Sequence, residues 1–151
     1  MFITLEDFKP VVDDKTFAVI NQQDPANVER ATLYAIEEIS GYLRGMEPAK
    51  TGIQPYDIQA TFAATGGDRN AQLVMYACDV ALYHLISWLP QRMGFEIRQL
   101  RYNRAIEWLE SVQAGKVILD IPSVQPDPEN PAGDDTGAIK WGSWKQNKYE
   151  Y

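Results

Sequence analysis

The 151-residue chain has one cysteine, Cys78, and one histidine, His84. A lone cysteine cannot close an internal disulfide, and one Cys and one His cannot assemble a structural zinc site. Basic residues are scarce as well: 14 against 21 acids, for a net charge of -7. That is the wrong sign for a protein whose affinity would come from neutralising phosphates, so DNA binding is disfavoured. No apolar run approaches the roughly 18 residues of a membrane span. MFITLEDFKP lacks a basic region followed by an apolar one, so the start reads as that of an ordinary intracellular product. Strand-period alternation and internal repeats are missing too.

What is present is a near-average globular composition, 45% hydrophobic and 23% charged, in a length that suits one core and a tail. Residues 120–135, DIPSVQPDPENPAGDD, hold four of the nine prolines and five acids with no base, which reads as an extended linker. Residues 136–151, TGAIKWGSWKQNKYEY, carry three lysines against one glutamate, and four aromatics. The chain therefore divides into a helical bundle (1–119), an acidic proline-rich linker (120–135) and an aromatic, basic C-terminal docking arm (136–151). The aromatics are anchors that a partner's pocket could bury.

Helical periodicity defines three long helices, and the fold class is all-α. Asp24-Pro25 pairs an N-cap with proline at the first position, and Val28, Ala31, Ala35, Ile39, Tyr42 and Leu43 recur at helical spacing before Gly45, predicting a helix over about 24–44. A second helix starts at Asp68, taken as its N-cap, and runs toward Pro90, apolar almost all round and so the most buried. After a turn over Pro90–Gly94, the third runs from Phe95 to Gly115. Its Phe95, Tyr102, Ala105, Ile106, Leu109 and Val112 share the face that packs antiparallel on the second. Ile97, Arg101, Arg104 and Trp108 lie on another stripe, which suggests a further contact surface to another segment or another subunit. Thr4 to Asp7 resembles a capping box, and residues 13–21 and 56–64 complete the bundle as short helices.

Each candidate for chemistry has a simpler structural reading. Gly66-Gly67-Asp68 before a helix suggests anion binding, but Asp68 repels a phosphate and no Walker spacing follows. Cys78 and His84 project about 240° apart on one helix, so they form no nucleophile and base pair; a buried thiol and a structural or interfacial imidazole fit better. The adjacent acids Asp13-Asp14, Glu37-Glu38 and Asp134-Asp135 diverge and read as solvated surface. Asp79, within an apolar helix, calls for a cation, and antiparallel register offers it Arg101 or Arg104 more readily than Arg98, as a structural or intersubunit ion pair. No cofactor or catalytic set is indicated, and an enzyme is disfavoured.

Several stretches together, FITLEDF, RATLYAIEEISGYLRG, YDIQATFAATGGDRN, LVMYACDVALYHL, PQRMGFEIRQLRYNRAIEWLESVQAGK and GSWKQNKY, resemble the head-tail connector proteins of tailed bacteriophages, the adaptor or head-completion group, including an uncharacterised family of Mu-like phages and prophages. The resemblance implies a small bundle, made in the bacterial host cytoplasm, that assembles twelvefold as a ring on the portal protein at the virion neck. It also implies that the ring extends the DNA channel toward the tail or stopper, with a C-terminal arm on the portal. DNA passes without specific binding, and a negatively charged lumen would let the duplex slide. By position and composition, Trp141, Gly142, Trp144, Lys145, Asn147 and Tyr149 are assigned to the portal or partner contact, and Ile97, Arg101, Arg104 and Trp108 to a subunit interface. The competing expectation is a soluble helical regulator that binds a partner protein through the aromatic tip.

Overall fold

A computed structural model of the chain describes residues 1–88 and 94–124. The expected turn at Pro90 and the docking arm 136–151 lie outside the described residues, as does all of the linker beyond Val124. Three long helices, α3 (Pro25–Arg44), α6 (Ala71–Ser87) and α7 (Phe95–Gln113), carry the architecture. Four short ones, α1 (Leu5–Phe8), α2 (Asp14–Ile20), α4 (Pro48–Thr51) and α5 (Ile58–Ala63), wrap around them. The described residues contain no strand; one isolated bridge joins Tyr56 to Ser123.

Side-chain pairs fix the directions of the long helices. Tyr76 meets Trp108, Asp79 meets Arg101 and Tyr83 meets Phe95, so α6 and α7 run antiparallel. Arg30 lies over Trp88 and Glu38 bonds His84, so α3 is antiparallel to α6 as well. The result is an up-down-up bundle with α6 in the middle. That position explains why α6 is apolar all round: ten of its residues are buried, Leu73, Ala77, Val80, Leu82 and Leu85 among them.

The caps show how locally the sequence specifies these elements. Asp24 accepts from Ala26 N at 2.9 Å, and Pro25 opens α3 as expected. Gly45 ends that helix in a right-handed conformation, φ -76°, so no left-handed turn is needed there. At the end of α7, Gly115 (φ +72°) donates to Val112 O and Lys116 N to Ser111 O, both at 2.9 Å, which is a Schellman closure. A Cβ on Gly115 would sit 2.8 Å from Thr51 Cγ2, so closure also brings α7 against α4. The turn of α4 carries no buried residue and left no hydrophobic pattern to read.

The start of α6 corrects the expectation for Asp68. Gly66–Asp68 forms a 3-10 turn, and Asn70 is the N-cap, its Oδ1 accepting from Leu73 N at 2.9 Å. Arg69 between them is extended because its side chain is committed to the N-terminal segment. The expected core face of α7 is centred on Ala105, Leu109 and Val112, which are fully buried, while Phe95, Tyr102 and Ile106 sit at its margins. The chain also stays on the bundle past Leu119: Asp57 N donates to Pro122 O and Val124 N to Pro55 O, each at 2.8 Å.

Candidate functional site

Three charged clusters tie the helices together, and each sits where an unpaired charge would be costly. Asp79 is 4% exposed in mid-α6, and its Oδ1 accepts from Arg101 Nε at 2.7 Å. Arg98, also buried, donates instead to Val11 O at 3.1 Å and so holds the segment between α1 and α2. Arg69 makes a two-pronged pair with Asp7, 2.7 and 3.1 Å, and donates to Phe2 O at 2.7 Å. Fork geometry of this kind is specific to arginine.

The third cluster is centred on Glu38. His84 Nε2 lies 2.8 Å from its Oε2, and Tyr102 OH donates to its Oε1 at 2.5 Å. Tyr83 stacks on Tyr102 at 4.1 Å, and Tyr34 sets its edge against both His84 and Trp88. Glu38 is therefore not solvated surface as its Glu37-Glu38 sequence pair suggests; it is half-buried where α3, α6 and α7 meet. Burial pushes its carboxyl up, but the bonds from His84 and Tyr102 outweigh that and hold it below the usual carboxylate range. Burial and the Glu38 contact drive the Tyr102 phenol strongly upward, so it stays a donor.

A carboxyl whose pKa is depressed in the folded state stabilises above its unfolded pKa and loses that contribution as pH falls through the folded value. Glu38 thus contributes at neutral pH and progressively less below about pH 4.3. Glu38→Gln is expected to flatten the acid limb of a stability-against-pH curve measured by urea unfolding, with the largest difference from wild type near pH 7. An unchanged curve would show that the cluster adds no net pairing energy.

These groups do not amount to a catalytic arrangement. Cys78 is wholly buried, its Sγ donating to Asp7 O at 3.5 Å, and burial drives its thiol strongly upward, away from the reactive thiolate. His84 projects from a different face of α6 and is committed to Glu38. Among the described residues no three His, Cys, Asp or Glu side chains are grouped to hold a metal. None of the described helices is long and apolar enough to cross a membrane.

The second stripe of α7 is split by the structure. Arg101 is engaged with Asp79, and Trp108 is partly buried against Tyr76, ring centroids 4.5 Å apart. Trp108 thus packs against the core of its own chain, where its stripe reads from sequence as a separate contact surface, because Tyr76 reaches out from α6 to meet it. Ile97 is 49% exposed and its neighbour Leu100 64%, with Arg104 exposed beside them. Leu33 and Tyr34 are the exposed apolar side chains of α3. Trp141, Gly142, Trp144, Lys145, Asn147 and Tyr149 lie outside the described residues.

Sequence reasoning narrowed the partner of Asp79 to Arg101 or Arg104 from register, of which the structure shows Arg101, but missed the other two clusters. Arg69 and Asp7 are 62 positions apart, and Glu38 and His84 46 apart, with no local pattern that joins them. Comparison with curated proteins and with solved structures gives no match. A family model described as Bacteriophage Mu, Gp36 matches residues 2–136, which takes in the seven α-helices of the described residues and the whole acidic segment. The chain is a member of the bacteriophage Mu Gp36 family.

Proposed function

We propose that this phage protein is a head-completion adaptor of the virion neck. In this reading copies of the bundle stand side by side as a ring on the portal, twelve to match the portal's own symmetry. The ring extends the DNA channel to the tail or stopper, and the C-terminal arm, through Trp141, Gly142, Trp144, Lys145, Asn147 and Tyr149, is the anchor. The carrying observation is a bundle whose buried and half-buried charged groups are used for internal bracing while apolar side chains remain on the outer faces of two long helices, Ile97 and Leu100 on α7 and Leu33 on α3. Two different faces of one subunit are what a heterologous, ring-closing contact requires. Arg104, exposed next to Ile97 and Leu100, belongs to that contact, whereas Arg101 and Trp108 support it from within.

The test mixes the protein with the portal ring of the same genome, full length and truncated after Val124. Cutting there keeps the Tyr56 to Ser123 pairing and removes only the 27 residues beyond it. Imaging with native mass spectrometry is expected to show a stacked ring with the full-length chain and none with the truncated one. Stacking by both would move the anchor into the bundle, and absence of any association would overturn the adaptor reading. A one-to-one complex with another protein in place of a ring would favour the regulator.

A further inference from the structure

The N-terminal side of the bundle holds an open cleft of about 370 Å³ between α1, α2 and the start of α3. Its floor is apolar and already part of the core, with Phe8, Val12 and Val28 almost fully buried. Phe17, stacked on Phe8 at 5.1 Å, and Ala18 form one wall. Leu5, 56% exposed, stands at the mouth. The volume falls within the range of pockets that take a small-molecule-sized group, and the lining suits a flat aromatic ring.

We infer that in the free protein this cleft is the seat of the chain's own aromatic tip, with the indole of Trp141 or Trp144 between Leu5, Phe17 and Ala18. Three observations select that occupant. The described chain ends at Val124, tied to Pro55 beside α5, and α5 sets Phe62 edge-on against Phe2 just ahead of α1. The tail thus leaves from the side of the bundle that carries the N-terminal segment. The sixteen residues from 125 to 140 span up to about 50 Å extended, whereas a bundle of this size has a radius of gyration of only about 14 Å, so the tip reaches the cleft without strain. Charge is complementary as well: beyond the Glu6 and Lys9 pair, Asp14 stands at the mouth with Asp13 adjacent, and the tip carries Lys140, Lys145 and Lys148. The lysine on that rim, Lys9, is neutralised by Glu6 at 2.7 Å.

Tethering makes a weak contact sufficient. A tether of this length gives an effective concentration of about 1 mM, so a tip-to-cleft affinity of only about 0.1 mM keeps the cleft about ten-to-one occupied. An arm held in this way is withheld from partners until a better seat competes for it. This inference does not depend on the portal being that seat, and it is tested on the isolated protein.

The experiment is a fluorine NMR spectrum of the full-length chain labelled with 5-fluorotryptophan. Four resonances arise, and Trp141→Phe and Trp144→Phe identify the two from the tip. At least one is expected well away from the position of the free 136–151 peptide, unchanged on tenfold dilution. It is expected to return to the peptide position in Ala18→Phe, which fills the cleft, and in Leu5→Ser, which alters only its exposed mouth. The Trp88 and Trp108 resonances report that each variant is folded. Both tip resonances at the peptide position in wild type would overturn the inference, as would a displaced resonance that neither variant moves. Loss of the displacement on dilution would mean that a second copy's tip fills the cleft, which also overturns the own-chain seat.

Discussion

Arg101→Met is expected to lower the unfolding free energy by about 3 kcal/mol, the scale seen when one partner of a buried ion pair is removed. Asp79 is the reason: it is 4% exposed, its Oδ1 is met by Arg101 Nε, and without that donor a carboxylate is left inside the most apolar helix of the bundle. With a urea slope of about 1.5 kcal/mol per molar for a small domain, the unfolding midpoint falls by about 2 M. The double variant Asp79→Leu with Arg101→Met is expected to recover most of the loss, because two apolar side chains of suitable size replace a buried pair at little cost. A single variant that loses less than about 1 kcal/mol would show that Asp79 reaches solvent or a second cation when Arg101 is gone. Arg98 already lies within electrostatic reach of Asp79, but its guanidinium is bonded to Val11 O, so replacing the lost hydrogen bond would cost it that one.

The same pair shows what was legible in the sequence. An acid within an apolar helix demands a cation, and once α6 and α7 are known to be antiparallel the candidates reduce to Arg101 and Arg104. The long helices were legible for the same reason: Asp24-Pro25 and Gly115 are local signals whose partners lie within four residues. Where a signal was duplicated, the choice failed. Asp68 and Asn70 are both good caps two residues apart, and tertiary bonding of the intervening Arg69 decided in favour of Asn70. Glu38 was misjudged because its partners come from two other helices, and nothing in Glu37-Glu38 tells which of the two turns inward. Trp108 failed similarly, since a helical wheel of α7 alone does not reveal that Tyr76 extends α6 toward it. The cleft was invisible for a related reason. It is formed by three segments that are each only a few turns long or the end of a longer one.

The second large effect is expected at Arg69. Its guanidinium donates to both oxygens of Asp7, to Phe2 O and, through Nε, to Gly66 O at 3.0 Å. Asp7 in turn accepts from Thr4 N at 2.7 Å, so the capping of α1 and the seating of the N-terminal strip depend on one side chain. Burial raises the Asp7 carboxyl, but Arg69 and Thr4 overcome it and hold it below the usual range. Arg69→Met leaves the Phe2 and Gly66 carbonyls without this donor and the Asp7 carboxylate with Thr4 but no cation, and is expected to cost about 3 kcal/mol. Arg69→Lys restores the charge without the fork and is expected to recover less than half of that. Hydrogen exchange should locate the loss: protection falls first in residues 2–8, while the centre of α6 keeps its own. The gap between wild type and Arg69→Met is expected to narrow progressively below about pH 3.9, as Asp7 protonates through its depressed pKa and the ion pair ceases to contribute, leaving the part that comes from the Phe2 and Gly66 carbonyls. Because α1 forms one side of the cleft, this variant also separates a braced cleft from a merely exposed apolar patch. With α1 loosened, the displaced tip resonance should move to the free-peptide position although Leu5, Phe17 and Ala18 are all still present.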